Sequence, residues 1–201
     1  RPITEPFRDR IRLNSPVLSV RRRADGVEVN TAGGRPENFD KVVIAAHSDQ
    51  ALSLLADASE AERAILGAIP YQENHTILHT DSSILPKKRA AWASWNYHIP
   101  KHALGRVAVT YNMNMLQNLD APATFCVSLN LQAAIDRQRV IKQMVYHHPV
   151  YNPESLAARG RLKEINGVNH TYFAGAYWGY GFHEDGVKSA IYVCRLFGKN
   201  V

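Results

Sequence analysis

Between Tyr71 and about Tyr151 the sequence is cut into short β-prone runs, and this stretch most limits what the chain can fold into. The runs are Thr76–His79, Ala91–Tyr97, Val107–Tyr111, Ala123–Leu129 and a segment near Val140–Tyr146. Pro86, Pro100, Gly105, Pro122 and Pro149 punctuate them, and that spacing predicts an antiparallel sheet. Asn112–Leu119 reads as a helical turn or two between strands, and Pro153–Arg159 as a helix capped by Asn152 with proline at its first position.

The flanking segments have a different grammar. Pro16–Arg22 and Val27–Thr31 alternate apolar with polar residues about Asp25-Gly26, which predicts a hairpin. Phe39–Ala46, continuously apolar from Val42 to Ala46, predicts a short strand covered on both faces. A helix is expected from Ser48-Asp49 through Leu55, and Ser59 with Glu62 has capping-box spacing for a second, stopped by Gly67 and Pro70. At the far end Thr171–Ala174 reads as a strand, Gly175–Asp185 as a glycine- and aromatic-rich loop, and Gly186 to about Leu196 as a helix. Strand, glycine-rich turn and helix together present backbone N–H groups to an anion.

Composition removes several classes of function. At 201 residues, 45% hydrophobic and 21% charged, the chain can bury a core of one or two domains. No apolar run approaches the roughly 18 residues of a membrane span, so a soluble, cytoplasmic protein is expected. The opening Arg1–Pro6 has no apolar signal region and reads as an internal start. Cys126 and Cys194 sit in apolar contexts and suit small buried hydrophobes. The net charge of +6 resides partly in Arg21–Arg23 and Lys87–Arg89, each three residues long and placed by neighbouring turn signals on solvated loops or strand ends. With no reading motif beside them, no nucleic-acid partner is expected. Nine histidines give no metal site: His75 and His79 would stand roughly 13 Å apart on a strand, His147 and His148 would face opposite ways, and no His-Glu-x-x-His signature occurs. A serine hydrolase elbow is also missing.

The loop from Ala174 to Gly186 carries the chemistry. It packs four glycines, four aromatics and an acidic pair into thirteen residues, a composition that fits either a ligand-lining loop or a buried aromatic turn. It is not a nucleotide fingerprint, because Glu184 stands where G-x-G-x-x-G needs its third glycine. Tyr172–Ala176 followed by Glu184–Ala190 resembles the carboxy-terminal flavin motif of the amine oxidase and phytoene desaturase superfamily. Tyr71–Thr76, Ala91–Tyr97 and Gly175–Gly186 are similar to a bacterial branch of FAD/NAD-binding amine oxidase-like proteins, and the resemblance covers nearly the whole chain.

That resemblance implies an FAD-dependent oxidoreductase that moves a hydride from a small or lipid-like organic substrate to flavin. It implies an α+β fold, mainly antiparallel sheet with flanking helices. Residues 1–70 and 170–201 would belong to an FAD-binding domain and 71–169 to a substrate-side sheet domain. The N-terminal Rossmann βαβ unit of such a protein, with its glycine fingerprint, is absent from this sequence, so the missing N-terminal half is an expected partner and this piece alone is expected to be inactive. By position, Val17 would meet the adenine, and Ala46 the ribose and pyrophosphate. Gly175 and Ala176 would lie beside the ribityl and phosphate groups, Gly186 and Val187 at the flavin's pyrimidine edge, and Glu184 and Asp185 would also belong to the cofactor-binding set. Asp185 stands where the family usually has Glu. Trp178, Tyr180 and His183 are candidates for lining flavin or substrate. No catalytic acid or base is identifiable. The contrasting reading is a non-catalytic binding or scaffold domain that has lost flavin chemistry.

Overall fold

The computed structural model describes residues 3–99 and 105–199; the expected turn at Pro100 lies outside them. In chain order the main elements are β1 (Val17–Arg23), β2 (Gly26–Thr31), β3 (Glu37–Phe39), β4 (Val42–Ile44), α1 (Ser48–Leu54), α2 (Glu60–Leu66) and β5 (Tyr71–His79). Then come β6 (Trp95–Tyr97), β7 (Val109–Asn112), α3 (Met113–Gln117), β8 (Cys126–Leu129), β9 (Val140–Pro149), α4 (Pro153–Gly160), β10 (Thr171–Phe173) and α5 (His183–Leu196). Two compact units result, one of residues 1–70 with 149–201, the other of 71–148. The whole is α+β with mainly antiparallel pairing.

In the first unit the Asp25 turn closes the β1–β2 hairpin, and β3 extends it to three strands. The segment 39–46 is not one strand. Phe39 ends β3 against β2, whereas Val42–Ile44 pairs in parallel with β10, so the chain changes sheet at Asp40-Lys41. Nor is the run covered on both faces: the β4–β10 sheet has two strands, and Val43 is 43% exposed. Ser59 and Glu62 make the expected capping box on α2, Ser59 Oγ accepting the Glu62 amide and Glu62 accepting the Ser59 amide. Asn152 caps α4 by accepting from the Ser155 amide.

The arginine run departs from expectation. Arg22 is not solvated: its side chain is 6% exposed, paired bidentately with Glu62 at 2.9 Å, with its Nε 2.8 Å from Asp57. The alternation of β1 turns Val20 and Arg22 to the same side, Val20 against the core at 1% exposure, and α2 supplies the countercharge. The fully buried core of this unit includes Phe173, Ile65, Leu66 and Ile69, with Tyr172 and Ala174 packed against Val193 and Phe197.

The second unit is a five-stranded sheet in the order β6-β7-β8-β5-β9. The run 91–97 forms a strand only from Trp95; Arg89–Ala91 is a 3-10 turn, with Arg89 over the Trp92 ring and Trp92 Nε1 donating to Pro86 O. One sheet face is polar and closed, carrying Ser128, Thr110, Asn112 and Asn96 beneath at most 7% exposure. The other carries Trp95 edge-on to Tyr111 at 5.4 Å, with Tyr97 67% exposed. Among the described residues no helix is long and apolar enough to cross a membrane, and no three His, Cys, Asp or Glu side chains are grouped to hold a metal.

Candidate functional site

The parallel pair β4–β10 brings two distant turns together. Phe173 sits opposite Ile44, and the Ala174 amide donates to Ile44 O, so the residues that follow each strand leave the sheet at the same edge. Ala46 is half-buried in the turn that leads into α1; Gly175 and Ala176 open the turn that leads into α5. Carboxyl ends of adjacent parallel strands are where open sheets of this kind receive ligands. Four candidates therefore follow this edge: Ala46 after β4, and Gly175 and Ala176 after β10, with Trp178 closing the 3-10 turn Ala176–Trp178. Val17 lies elsewhere, as the 38% exposed first residue of β1 in the three-stranded sheet.

The turn before α5 is held chiefly by its own chain. The Asp185 carboxylate accepts the Tyr180 amide at 2.9 Å and the Phe182 amide at 3.1 Å. Those two amides hold its carboxyl below the ordinary carboxylate value. The Gly179 and Gly181 amides both donate to Ala176 O, and the Gly175 amide donates to Ser189 Oγ, which itself donates to Gly186 O. The glycines serve this packing: a Cβ on Gly175 would meet the Tyr177 ring at 2.3 Å, and one on Gly179 the Asp185 carboxylate at 2.3 Å. Gly181 has φ +85°, in the left-handed region that glycine enters without strain.

Because Asp185 draws the preceding residues into the cap, α5 begins at His183 and not at Gly186. The Gly186 amide is already bonded to Phe182 O. Val187 is 53% exposed on the helix flank. Within the turn, the N–H groups of Ala176, His183 and Glu184 donate to no acceptor among the described residues. Tyr180 is exposed, as is His183, while Trp178 is half-buried with its indole Nε1 shielded and unpartnered. Trp178, Gly179, Asp185 and Tyr192 line an open pocket of about 240 Å³.

Arg159 of α4 is a site residue that sequence reasoning missed. Its guanidinium packs against a pair of touching tyrosine rings, 5.2 Å from Tyr151 and 4.6 Å from Tyr180, and its Nη1 donates to Gly179 O. Only the spacing of Arg159 from the end of its helix was visible in the sequence; its aromatic partners come from the segments before α4 and before α5.

The amino-terminal part of the chain, residues 4–89, matches the family of flavin containing amine oxidoreductases. No curated protein matches. Among solved structures the chain is similar to a conjugated-linoleic-acid-producing fatty acid isomerase from P. acnes, at 17% identity and a TM-score of 0.63, covering 92% of this chain and 48% of that one. It is similar to putrescine oxidase bound to putrescine at 11% identity, TM-score 0.63, covering 98% and 51%. Cyclohexylamine oxidase from Brevibacterium oxydans IH-35A gives 14% identity, TM-score 0.57, covering 96% and 50%. The chain spans about half the length of each of these structures. Residues 4–89 are thus similar in sequence to the flavin containing amine oxidoreductases, and the chain shares its fold with about half of each of these solved structures.

Proposed function

We propose that this chain is part of an FAD-dependent oxidoreductase that takes a hydride from a small or lipid-like organic substrate. The observation that carries this reading is the shared edge of β4 and β10, from which Ala46 and Gly175-Ala176 leave the sheet ahead of α1 and α5. The residues fit a flavin dinucleotide in a specific way. The unpartnered amides of Ala176, His183 and Glu184 suit oxygen acceptors, and the positive end of a fourteen-residue helix suits negative charge. FAD, when bound, supplies the hydride acceptor; the protein orients substrate and excludes water.

Within that division of labour, Asp185 fixes the turn that carries Tyr180 and Phe182, and Arg159 packs on the Tyr180 ring. Trp178, Tyr180 and His183 line the flavin or substrate. The pyrimidine-edge role expected of Gly186 and Val187 falls instead to His183 and Glu184, whose amides are the unpaired ones. Val17 remains the adenine contact. In the sheet unit, Trp95, Tyr97 and Tyr111 give an apolar surface suited to an organic substrate. The named neighbours are a fatty acid isomerase, a putrescine oxidase and a cyclohexylamine oxidase, which supports a C–N or C–C substrate class without selecting one.

The test is to purify the full-length protein encoded with this chain and record its visible spectrum. Bands close to those of free FAD, bleached anaerobically by a substrate of this class, are expected. A colourless protein that ignores added FAD would overturn the reading in favour of a non-catalytic binding module. That alternative has one observation in its favour, the filling of the glycine turn by Tyr177 and Asp185.

A further inference from the structure

Four side chains on the closed face of the sheet unit form an unbroken hydrogen-bonded row across four strands. His79 Nε2 is 2.8 Å from Ser128 Oγ, Ser128 Oγ is 2.7 Å from Thr110 Oγ1, and Thr110 Oγ1 is 2.9 Å from His98 Nε2. Register explains the row. Ser128 stands directly opposite both Thr110 and Ile77, so His79 is its diagonal neighbour; Thr110 stands opposite Asn96, which makes His98 the diagonal neighbour at the other end. His79, Ser128 and Thr110 are each 0% exposed, whereas His98 is half-buried.

The row has a direction, set by one backbone amide. Asp81 N–H donates to His79 Nδ1 at 3.1 Å. An amide N–H cannot accept, so Nδ1 carries the lone pair and a neutral His79 carries its proton on Nε2, donating to Ser128. Each hydroxyl has a single hydrogen. Thr110 Oγ1 is the only acceptor near the Ser128 hydrogen among the described residues, so Ser128 donates to Thr110, and Thr110 to His98 Nε2, which leaves the His98 proton on Nδ1. That nitrogen makes no bond among the described residues and is not among the buried unpartnered atoms.

We infer that Thr110, Ser128 and His79 are positioning residues that hold His98 as its neutral Nδ1–H tautomer, so that the open end of the row offers a hydrogen-bond donor and not a base. Protonating His98 on Nε2 would turn Thr110 round. Ser128 Oγ would then accept from both neighbours, and its own hydrogen would point into the closed interior without a partner, which is costly. The charged surroundings do not oppose this arrangement. On β5 and its extension Asp81 faces His79, where burial outweighs its attraction; across on β8, Cys126 stays a thiol, pushed up to about 11 by burial and by Asp81. On β6 and β7 the groups sharing this face are Asn96, Asn112 and Ala108, and His98 feels burial alone. The inference does not depend on the flavin reading.

Two-bond ¹H–¹⁵N correlation spectra of the histidine-labelled protein test it. His79 should show the Nε2–H pattern and His98 the Nδ1–H pattern, with His98 titrating below the usual 6.5. Ser128 does not touch His98, yet Ser128→Ala should shift the His98 midpoint upward toward 6.5, as should Thr110→Val. Ser128→Thr and Thr110→Ser, which keep a hydroxyl, should restore the wild-type midpoint. An Nε2–H tautomer at His98 in the wild-type protein overturns the inference, and so does an unmoved midpoint in a folded Ser128→Ala variant. Should that variant not fold, the wild-type tautomers decide alone.

Discussion

Replacing Arg22 with methionine strands a carboxylate. In the native chain the Glu62 side chain is 3% exposed and receives two guanidinium bonds at 2.9 Å, together with the Ser59 amide at 2.7 Å. Arg22→Met leaves only the amide. Removing one member of a buried ion pair costs about 3–5 kcal/mol, most of it the uncompensated desolvation of the survivor. The lost contact to Asp57 adds little, because that side chain is 33% exposed and water screens it. At 2–4 °C per kcal/mol for a chain of this size, the melting temperature should fall by roughly 6–20 °C. Urea unfolding followed by circular dichroism measures the free-energy change directly. Arg22→Met combined with Glu62→Leu should recover most of the loss, because both charges then leave the interior together. A single variant that costs less than about 1 kcal/mol would refute the claim that this pair is desolvated.

Other consequences follow from the same contacts. Ser59→Ala, which deletes the side-chain cap on α2, should cost about 1 kcal/mol in the same urea assay. Phe173→Ala empties a fully buried ring position on β10 and should cost about 3–5 kcal/mol. Asp185→Asn should speed hydrogen exchange at the Tyr180 and Phe182 amides at neutral pH, read by mass spectrometry of the 174–186 segment. The fold should be acid-labile in two steps. His79 and His98 are held below the usual 6.5, so the unfolded chain binds protons first and stability falls as pH drops below that value. Asp81 and Asp185 are held below the usual 3.8, and the stability they add is present above it and lost as pH falls through their lower folded values. A pH series of urea midpoints that is flat from 7 to 3 would contradict both.

Local signals were legible in the sequence because they are satisfied within a few residues. The Asp25-Gly26 hairpin, the Ser59–Glu62 box and the Asn152-Pro153 helix start all close over short spans. What was not legible depended on distant partners. Arg22 reads as one of three surface arginines until α2 places Glu62 beside it. Phe39–Ala46 reads as one strand because apolar periodicity does not reveal that its halves pair with β2 and with β10. The start of α5 was misplaced by three residues because the glycine was taken as its opening. Asp185 reaches back to two amides and winds the chain into the helix earlier. At the candidate site the sequence singled out the loop before α5 and, through the family resemblance, gave FAD as an expectation; it did not reveal which of the loop's amides are left unpaired.

The meeting of the β4 and β10 turns is the hinge of the functional account, and hydrogen–deuterium exchange on the full-length protein with and without FAD tests it most directly. Protection should appear together at Ala46 and at Ala176, His183 and Glu184 when FAD is added, while the Gly186 amide, already bonded within the turn, changes little. Protection confined to other segments, or none at these four residues at saturating FAD, would contradict it.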